Sequence, residues 1–143
     1  MIPKFRAWIK ETEEMYEVES VGVRNGELWF VIAGPATPKP YEELTEYQPD
    51  EIVLMQSTGV LDDNGAEIYE DDIVIAEGKR GFVMWENGGF QITIYDGLGY
   101  HIDEYESLVK IGNTFENPEL LEEVEKCTRL EMQDIALKKH YVQ

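Results

Sequence analysis

The chain has 143 residues, a length typical of one domain or of one domain with an appended element. Twelve Lys and Arg residues against 30 Asp and Glu residues give a formal charge of −18. This charge disfavours direct binding to nucleic acids and to anionic membrane surfaces, because both are negatively charged and attract basic side chains. A hydrophobic fraction of 43% and an aromatic fraction of 11% predict a folded protein rather than a disordered acidic one.

Cysteine usage and hydropathy predict a cytoplasmic protein. The single cysteine, Cys127, excludes an intramolecular disulfide and a multi-cysteine zinc site. The first residues lack the apolar region of a signal peptide, and no run approaches the roughly 18 apolar residues that cross a bilayer. No sequence motif predicts a bound cofactor.

The first 50 residues predict a β-hairpin region followed by a linker. Residues 5–9 alternate as a strand does, and residues 15–24 and 27–33 flank Asn25 and Gly26, a pair that suits a type I′ turn. Residues 34–50 contain four prolines and predict a linker or a long surface loop. We therefore predict a first region over residues 1–50.

Short strand patterns with frequent turn signals fill residues 51–116. Five apolar or alternating runs lie at residues 51–56, 73–76, 82–85, 90–95 and 108–111. Strands of this length and spacing are typical of an antiparallel barrel or sandwich. The predicted fold class is therefore mainly β, with an SH3-like small barrel as the core domain at residues 51–116.

Residues 117–143 predict a C-terminal α-helix. Asn117 suits the N-cap position and Pro118 the first helical position. Leu120, Val124 and Cys127 recur at helical spacing and form an apolar stripe, so Cys127 is predicted to be a buried thiol rather than a reactive one.

The order of several short segments resembles the phage YopX family. These segments are KFRAW at residues 4–8, LMQSTG at 54–59, DDNG at 62–65, EIYE at 67–70, DIV at 72–74, GFVMW at 81–85 and IGNTFENPELL at 111–121. Three residues depart from the expected pattern: Ile9 replaces an acidic residue, Ser57 an aromatic one and Asp71 a glycine. The resemblance implies a small phage or prophage protein of a bacterial host cell, mainly β and with an SH3-type barrel, and it implies no established activity.

The aromatic residues admit two interpretations. Trp29, Phe82, Trp85, Phe90, Tyr95 and Tyr100 could line a ligand groove, or they could fill the interior of a small barrel. We favour the filled interior. Tyr69 and Trp85 are the exceptions, and they are the two candidate binding residues.

The acidic segments predict turns more strongly than metal sites. Asp62, Asn64 and Glu70 fail the EF-hand pattern, because Ala66 and Glu67 occupy its fifth and sixth positions. A tight turn is the better interpretation. The run over residues 70–72 predicts a solvated strand entry. The alternative is that Asp72 instead fixes the turn by accepting backbone N–H bonds.

Three functional hypotheses follow from the sequence. The first is a non-enzymatic protein-interaction module with a protein partner, which could be another copy of the chain. The second is an acidic DNA mimic that inhibits a host nucleic-acid-binding protein. The third is a carboxylate-dependent metal enzyme that would use Glu70, Asp72 and His101, provided that they converge on one ion.

Overall fold

The computed structural model describes residues 3–35, 44–94 and 99–120, and the fold is mainly β, as predicted. Eleven strands are formed in this part of the chain. They are β1 (Phe5–Ile9), β2 (Glu14–Arg24), β3 (Glu27–Gly34), β4 (Thr45–Tyr47), β5 (Ile52–Leu61), β6 (Glu67–Tyr69), β7 (Asp72–Ala76), β8 (Lys79–Glu86), β9 (Gly89–Ile94), β10 (Gly99–His101) and β11 (Leu108–Asn113). Short 3-10 turns occur at Pro49–Glu51 and Ile102–Glu104.

The chain divides into two compact units, Met1–Ser57 and Thr58–Gln143. The predicted boundary after residue 50 falls earlier in the chain than this division. Residues 36–43 of the predicted linker lie outside the described residues, and its described end contains β4, which pairs with β3. Residue 51, where the predicted barrel domain begins, ends the 3-10 turn before β5, and residues 52–57 of β5 belong to the first unit.

In the first unit, the strands are antiparallel neighbours in the order β4-β3-β2-β1-β5. Asn25 and Gly26 both have positive φ, of 54° and 77°, and join β2 to β3, which confirms the predicted hairpin. One face of this sheet carries a cluster of buried aliphatic residues: Ala7, Ile9, Val31, Ala33 and Ile52.

In the second unit, five antiparallel strands follow the order β10-β9-β8-β7-β11, and β6 lies beside the second half of β5. The predicted buried run at residues 73–76 is confirmed as β7, in which every residue except the half-buried Ile75 is buried. The sheets are not closed within the described residues, so the SH3-like barrel is not confirmed by the strand pairing.

Aliphatic side chains, not aromatic ones, form the core of the second unit. Its buried cluster consists of Ile68, Val74, Ala76, Val83, Ile92, Ile94, Ile102 and Leu108. Among the described aromatic residues, Trp29, Trp85 and Tyr100 are exposed and Phe82 and Phe90 are half-buried. The prediction of an interior filled by aromatic rings was therefore wrong for Trp29 and Tyr100, because aliphatic side chains form the buried clusters of both units. Phe90 packs against the aliphatic cluster from its edge. Trp85 was predicted to be an exception, and it is exposed. Tyr95 lies outside the described residues.

Only the start of the predicted C-terminal helix lies within the described residues, where positions 118–120 are helical. Asn117 precedes this turn, but its side-chain oxygen accepts the N–H of Asn113 at 3.2 Å. The Asn113 side chain in turn accepts the N–H groups of Phe115 and Glu116, at 3.0 and 2.8 Å. Cys127 and the rest of the predicted helix lie outside the described residues.

The positions that depart from the family pattern have clear local environments. Ile9 is buried in the core of the first unit, where it lies opposite Ile52 in the sheet. Asp71 has a φ of 66°, which is the left-handed region that glycine adopts most easily. The glycine expected at position 71 therefore matches the backbone conformation that the aspartate adopts here.

A methyl group at Gly81 should destabilise the second unit. A Cβ atom at this position would lie 2.7 Å from the backbone oxygen of Thr93, which cannot move without distorting the sheet. We expect Gly81→Ala to lower the free energy of unfolding by about 1–3 kcal/mol, measured by urea denaturation.

Gly89→Ala is the matched control. Its Cβ would meet only the exposed His101 side chain, at 2.9 Å, and that side chain can move away. Equal losses of stability for the two variants would contradict the close-packing account of Gly81.

Candidate functional site

An acidic turn connects β5 to β6 and also binds β11, which is the last strand in the order of the five-stranded sheet. One Asp62 oxygen, Oδ1, accepts the N–H groups of Asn64 and Ala66 at 2.9 and 2.8 Å. The other, Oδ2, accepts the N–H of Lys110 at 2.9 Å. The predicted tight turn is therefore confirmed, and the same carboxylate fastens it to a strand 48 residues further along the chain.

Asp63 extends this attachment along β11. Its backbone N–H donates to the oxygen of Leu108 at 2.8 Å, and its Oδ1 accepts the Leu108 N–H at 3.3 Å. Its second carboxylate oxygen accepts the hydroxyl of Ser107 at 2.9 Å. The turn thus forms hydrogen bonds with this edge of β11 that a neighbouring strand would otherwise form. A strand edge whose backbone groups are already bonded resists pairing with other chains.

A second carboxylate, Asp72, is fully buried and holds the next turn. Its Oδ2 accepts the N–H of Tyr69 at 2.7 Å and lies 3.2 Å from the ammonium of Lys110. Asp72 therefore fixes the turn, as the alternative interpretation predicted, and the prediction of a solvated strand entry was wrong for this residue because it is fully buried. Lys110 also donates to the backbone oxygen of Glu67 at 3.3 Å, so its side chain ties β11 to β6.

The structure places the two candidate binding residues in different settings. Tyr69 belongs to the Asp72 network, because its hydroxyl donates to Glu67 at 2.9 Å and its ring lies 5.8 Å from the Lys110 ammonium. Trp85 lies on β8 with 53% of its surface exposed and packs edge-to-face on Phe90, with 4.8 Å between the ring centres. Trp85 thus remains accessible to a partner, whereas Tyr69 contributes to internal packing.

The backbone N–H of Lys110 lowers the pKa of Asp62 below its ordinary value of 3.8, against the opposing effect of burial. The N–H groups of Ala66 and Asn64 act in the same direction as Lys110. These donors stabilise the charged carboxylate specifically, since a protonated carboxyl accepts hydrogen bonds more weakly. The turn is therefore held by an ionised Asp62 at neutral pH.

The residues of the metal hypothesis do not assemble into a site. Asp72 is engaged by Tyr69 and Lys110, and His101 accepts the N–H of Asp103 on an exposed turn. Within the described ranges, no group of three or more His, Cys, Asp or Glu side chains could hold a metal ion. In the same part of the chain, no helix has the length and apolarity that a bilayer crossing requires.

A groove of about 340 Å³ opens at one end of the five-stranded sheet, beside the turn from β7 to β8. Tyr100 and Tyr105 form part of its wall and pack edge-to-face, with 6.3 Å between their ring centres. Three charged residues, Glu77, Lys79 and Glu104, also line it. Sequence reasoning singled out Tyr100 as an aromatic but missed the groove, which depends on residues from four separate segments.

The fold and these sites define a mainly β protein of two antiparallel sheets whose acidic motifs organise turns. The family model described as YopX protein matches residues 4–122, so the chain belongs to the YopX family. Its structure is similar to the crystal structure of protein EF1440 from Enterococcus faecalis, with a TM-score of 0.64 and 28% sequence identity over 85% of this chain and 99% of that chain. No curated protein matches the sequence significantly.

Loss of the Asp62 charge should destabilise the protein at neutral pH. We expect Asp62→Asn to lower the free energy of unfolding by about 1–3 kcal/mol at pH 7, since the carboxylate accepts three backbone N–H groups. Because the folded-state pKa lies below the ordinary 3.8, this stabilisation is complete well above pH 3.8 and is lost as the pH falls through the folded-state pKa.

Urea denaturation between pH 7 and pH 2.5 measures this difference, and the exposed Asp50→Asn variant is the control. A constant difference between wild type and Asp62→Asn down to pH 2.5 would contradict the role of the charged carboxylate.

Removal of the Lys110 ammonium should leave a buried negative charge at Asp72. We expect Lys110→Met to lower the free energy of unfolding by about 1–3 kcal/mol, because the partly exposed ammonium offsets the desolvation of Asp72. Adding Asp72→Asn should recover part of this loss, since an amide oxygen still accepts the Tyr69 N–H. Strictly additive effects in this double-mutant cycle would show that the two side chains are not coupled.

Proposed function

We propose that this YopX-family protein is a non-enzymatic protein-interaction module of phage or prophage origin that acts in the cytoplasm of a bacterial host cell. The observation that carries the proposal is the exposed indole of Trp85, which is 53% accessible although it lies on the core-facing side of β8. At the hairpin end of β8 and β9, Phe90 packs against the aliphatic cluster and also contacts the Trp85 ring edge-to-face.

Exposed tryptophan suits a binding role for a physical reason. A large aromatic ring gains more free energy than other side chains when a partner covers it, and Trp and Tyr are enriched among residues that dominate interface energies. The aliphatic core of the second unit is complete without the Trp85 ring. The indole therefore contributes more to a complex than to the interior of the protein.

We also propose that the second unit is an SH3-like small barrel. The meander from β7 to β10 is followed by a 3-10 turn at Ile102–Glu104, and β11 then pairs with β7. Return of the last strand to the first strand of a meander supports a small barrel of this kind. Such a barrel presents its loops and its short β10 edge to a partner.

The local roles of the carboxylates disfavour the DNA-mimic alternative. A mimic needs acidic side chains on one continuous accessible face, but Asp62 and Asp72 are buried and accept hydrogen bonds inside the protein. The Asp63 carboxylate likewise accepts the backbone N–H of Leu108 in β11. These acids support turns, so they do not contribute to an array that resembles a phosphate backbone.

Truncation of Trp85 should weaken partner capture. Full-length chain immobilised on beads and exposed to lysate of phage-infected host cells should retain a specific protein, and Trp85→Ala should reduce its recovery about tenfold or more. The matched control is Trp29→Ala, because Trp29 is similarly exposed but lies in the first unit.

Light scattering of the purified chain at micromolar concentration shows whether the partner is a second copy of this chain. An oligomer that Trp85→Ala dissociates would support the proposal, as would a captured host or phage protein that depends on Trp85. Recovery that is unchanged by Trp85→Ala, together with a monomeric wild type, would overturn it.

A further inference from the structure

We infer that the groove beside Tyr100 and Tyr105 binds a cationic side chain, arginine or lysine, of a partner protein. This inference rests on the proposed interaction function and assigns it a second contact site and a partner chemistry. The groove is lined by two tyrosine rings and by Glu77 and Glu104, and its volume of about 340 Å³ lies within the range of about 300–1,000 Å³ typical of ligand pockets.

The two tyrosines provide the aromatic part of the site. Their rings are nearly perpendicular, at 83°, and pack edge-to-face along the groove. Tyr100 is 43% exposed, and the hydroxyl of Tyr105 donates to the backbone oxygen of Ile92 at 3.4 Å, which fixes that ring in place. The negative face of an aromatic ring attracts a cation placed over it.

The carboxylates of the groove add the electrostatic part. Glu77 is held at the rim, because its side chain accepts the N–H of Glu106 at 3.1 Å and its own N–H donates to the oxygen of Ser107. Glu104 belongs to the 3-10 turn that precedes Tyr105. Two carboxylates beside two aromatic rings match a guanidinium or an ammonium and reject an anion.

The charge of the whole chain favours the same partner. A formal charge of −18 attracts basic segments from a distance and raises their encounter rate at low salt. Lys79 opposes a cation in the groove, because its side chain contributes to the same lining. Removal of the Lys79 charge should therefore tighten binding, whereas removal of the Glu104 charge should weaken it.

The test is a titration of the full chain with the peptide acetyl-Gly-Arg-Gly-amide, followed by amide chemical shifts. The matched neutral probe replaces arginine with citrulline, which has nearly the same shape. We expect saturable shifts near Tyr100 and Tyr105 with a dissociation constant on the order of 1 mM for the arginine peptide, and much weaker binding of the citrulline peptide.

Variants of the groove make the test specific. Tyr100→Ala and Glu104→Gln should each weaken binding about threefold to tenfold, Tyr100→Phe should retain it, and Lys79→Gln should strengthen it about twofold. The amide spectrum of each variant shows whether it is folded. Trp29→Ala, a change in the first unit, should leave the peptide affinity unchanged.

Equal affinity for the two peptides would overturn the assignment of the groove. Chemical-shift changes that are the same in the Tyr100→Ala variant as in the wild type would also overturn it. In that event, a partner captured through Trp85 would leave the proposed function standing. Conversely, arginine binding in the groove without any Trp85-dependent partner would refute the proposed role of Trp85 and support the groove.

Discussion

The attachment of the acidic turn to β11 is the constraint on which the second unit depends. Strand β11 is the last in its sheet, so the N–H groups of its outer edge would otherwise face water. Asp62 and Asp63 accept two of these groups, from Lys110 and Leu108, and Asp63 returns a backbone N–H to Leu108. Side chains of the turn at residues 62–65 thus form hydrogen bonds that the backbone of a neighbouring strand would otherwise form.

Lys110 makes this attachment cooperative. Its backbone N–H binds Asp62, while its ammonium lies beside the buried Asp72 and donates to Glu67. One residue therefore couples the acidic turn, the entry of β7 and the strand β6. Buried polar networks of this kind are costly when one member is missing, so they favour a single arrangement of the surrounding turns. The segments DDNG at residues 62–65 and DIV at residues 72–74 thereby have a structural explanation.

Local signals predicted the turns, while distant contacts could not be predicted. The hairpin at Asn25 and Gly26 and the buried strand β7 follow from neighbouring residues, and both were confirmed. The bond between Asp62 and Lys110 joins residues 48 positions apart, and a single sequence carries no pairing signal over that distance. Trp85 alternates as a core residue does, but its position at the end of β8 leaves it exposed. The sequence did not predict the groove at Tyr100 either, because residues from separated segments of the chain line it.

Amide hydrogen exchange at Lys110 measures whether the acidic turn protects the outer edge of β11. An outward-facing amide on a terminal strand exchanges quickly when only water accepts it, and slowly when a protein group does. If Asp62 accepts this N–H, the Lys110 amide exchanges as slowly as amides at the centre of the sheet, such as that of Val83, and Asp62→Asn removes the protection. Exchange of the Lys110 amide at the rate of an exposed turn residue such as Asn87 would contradict this role of Asp62.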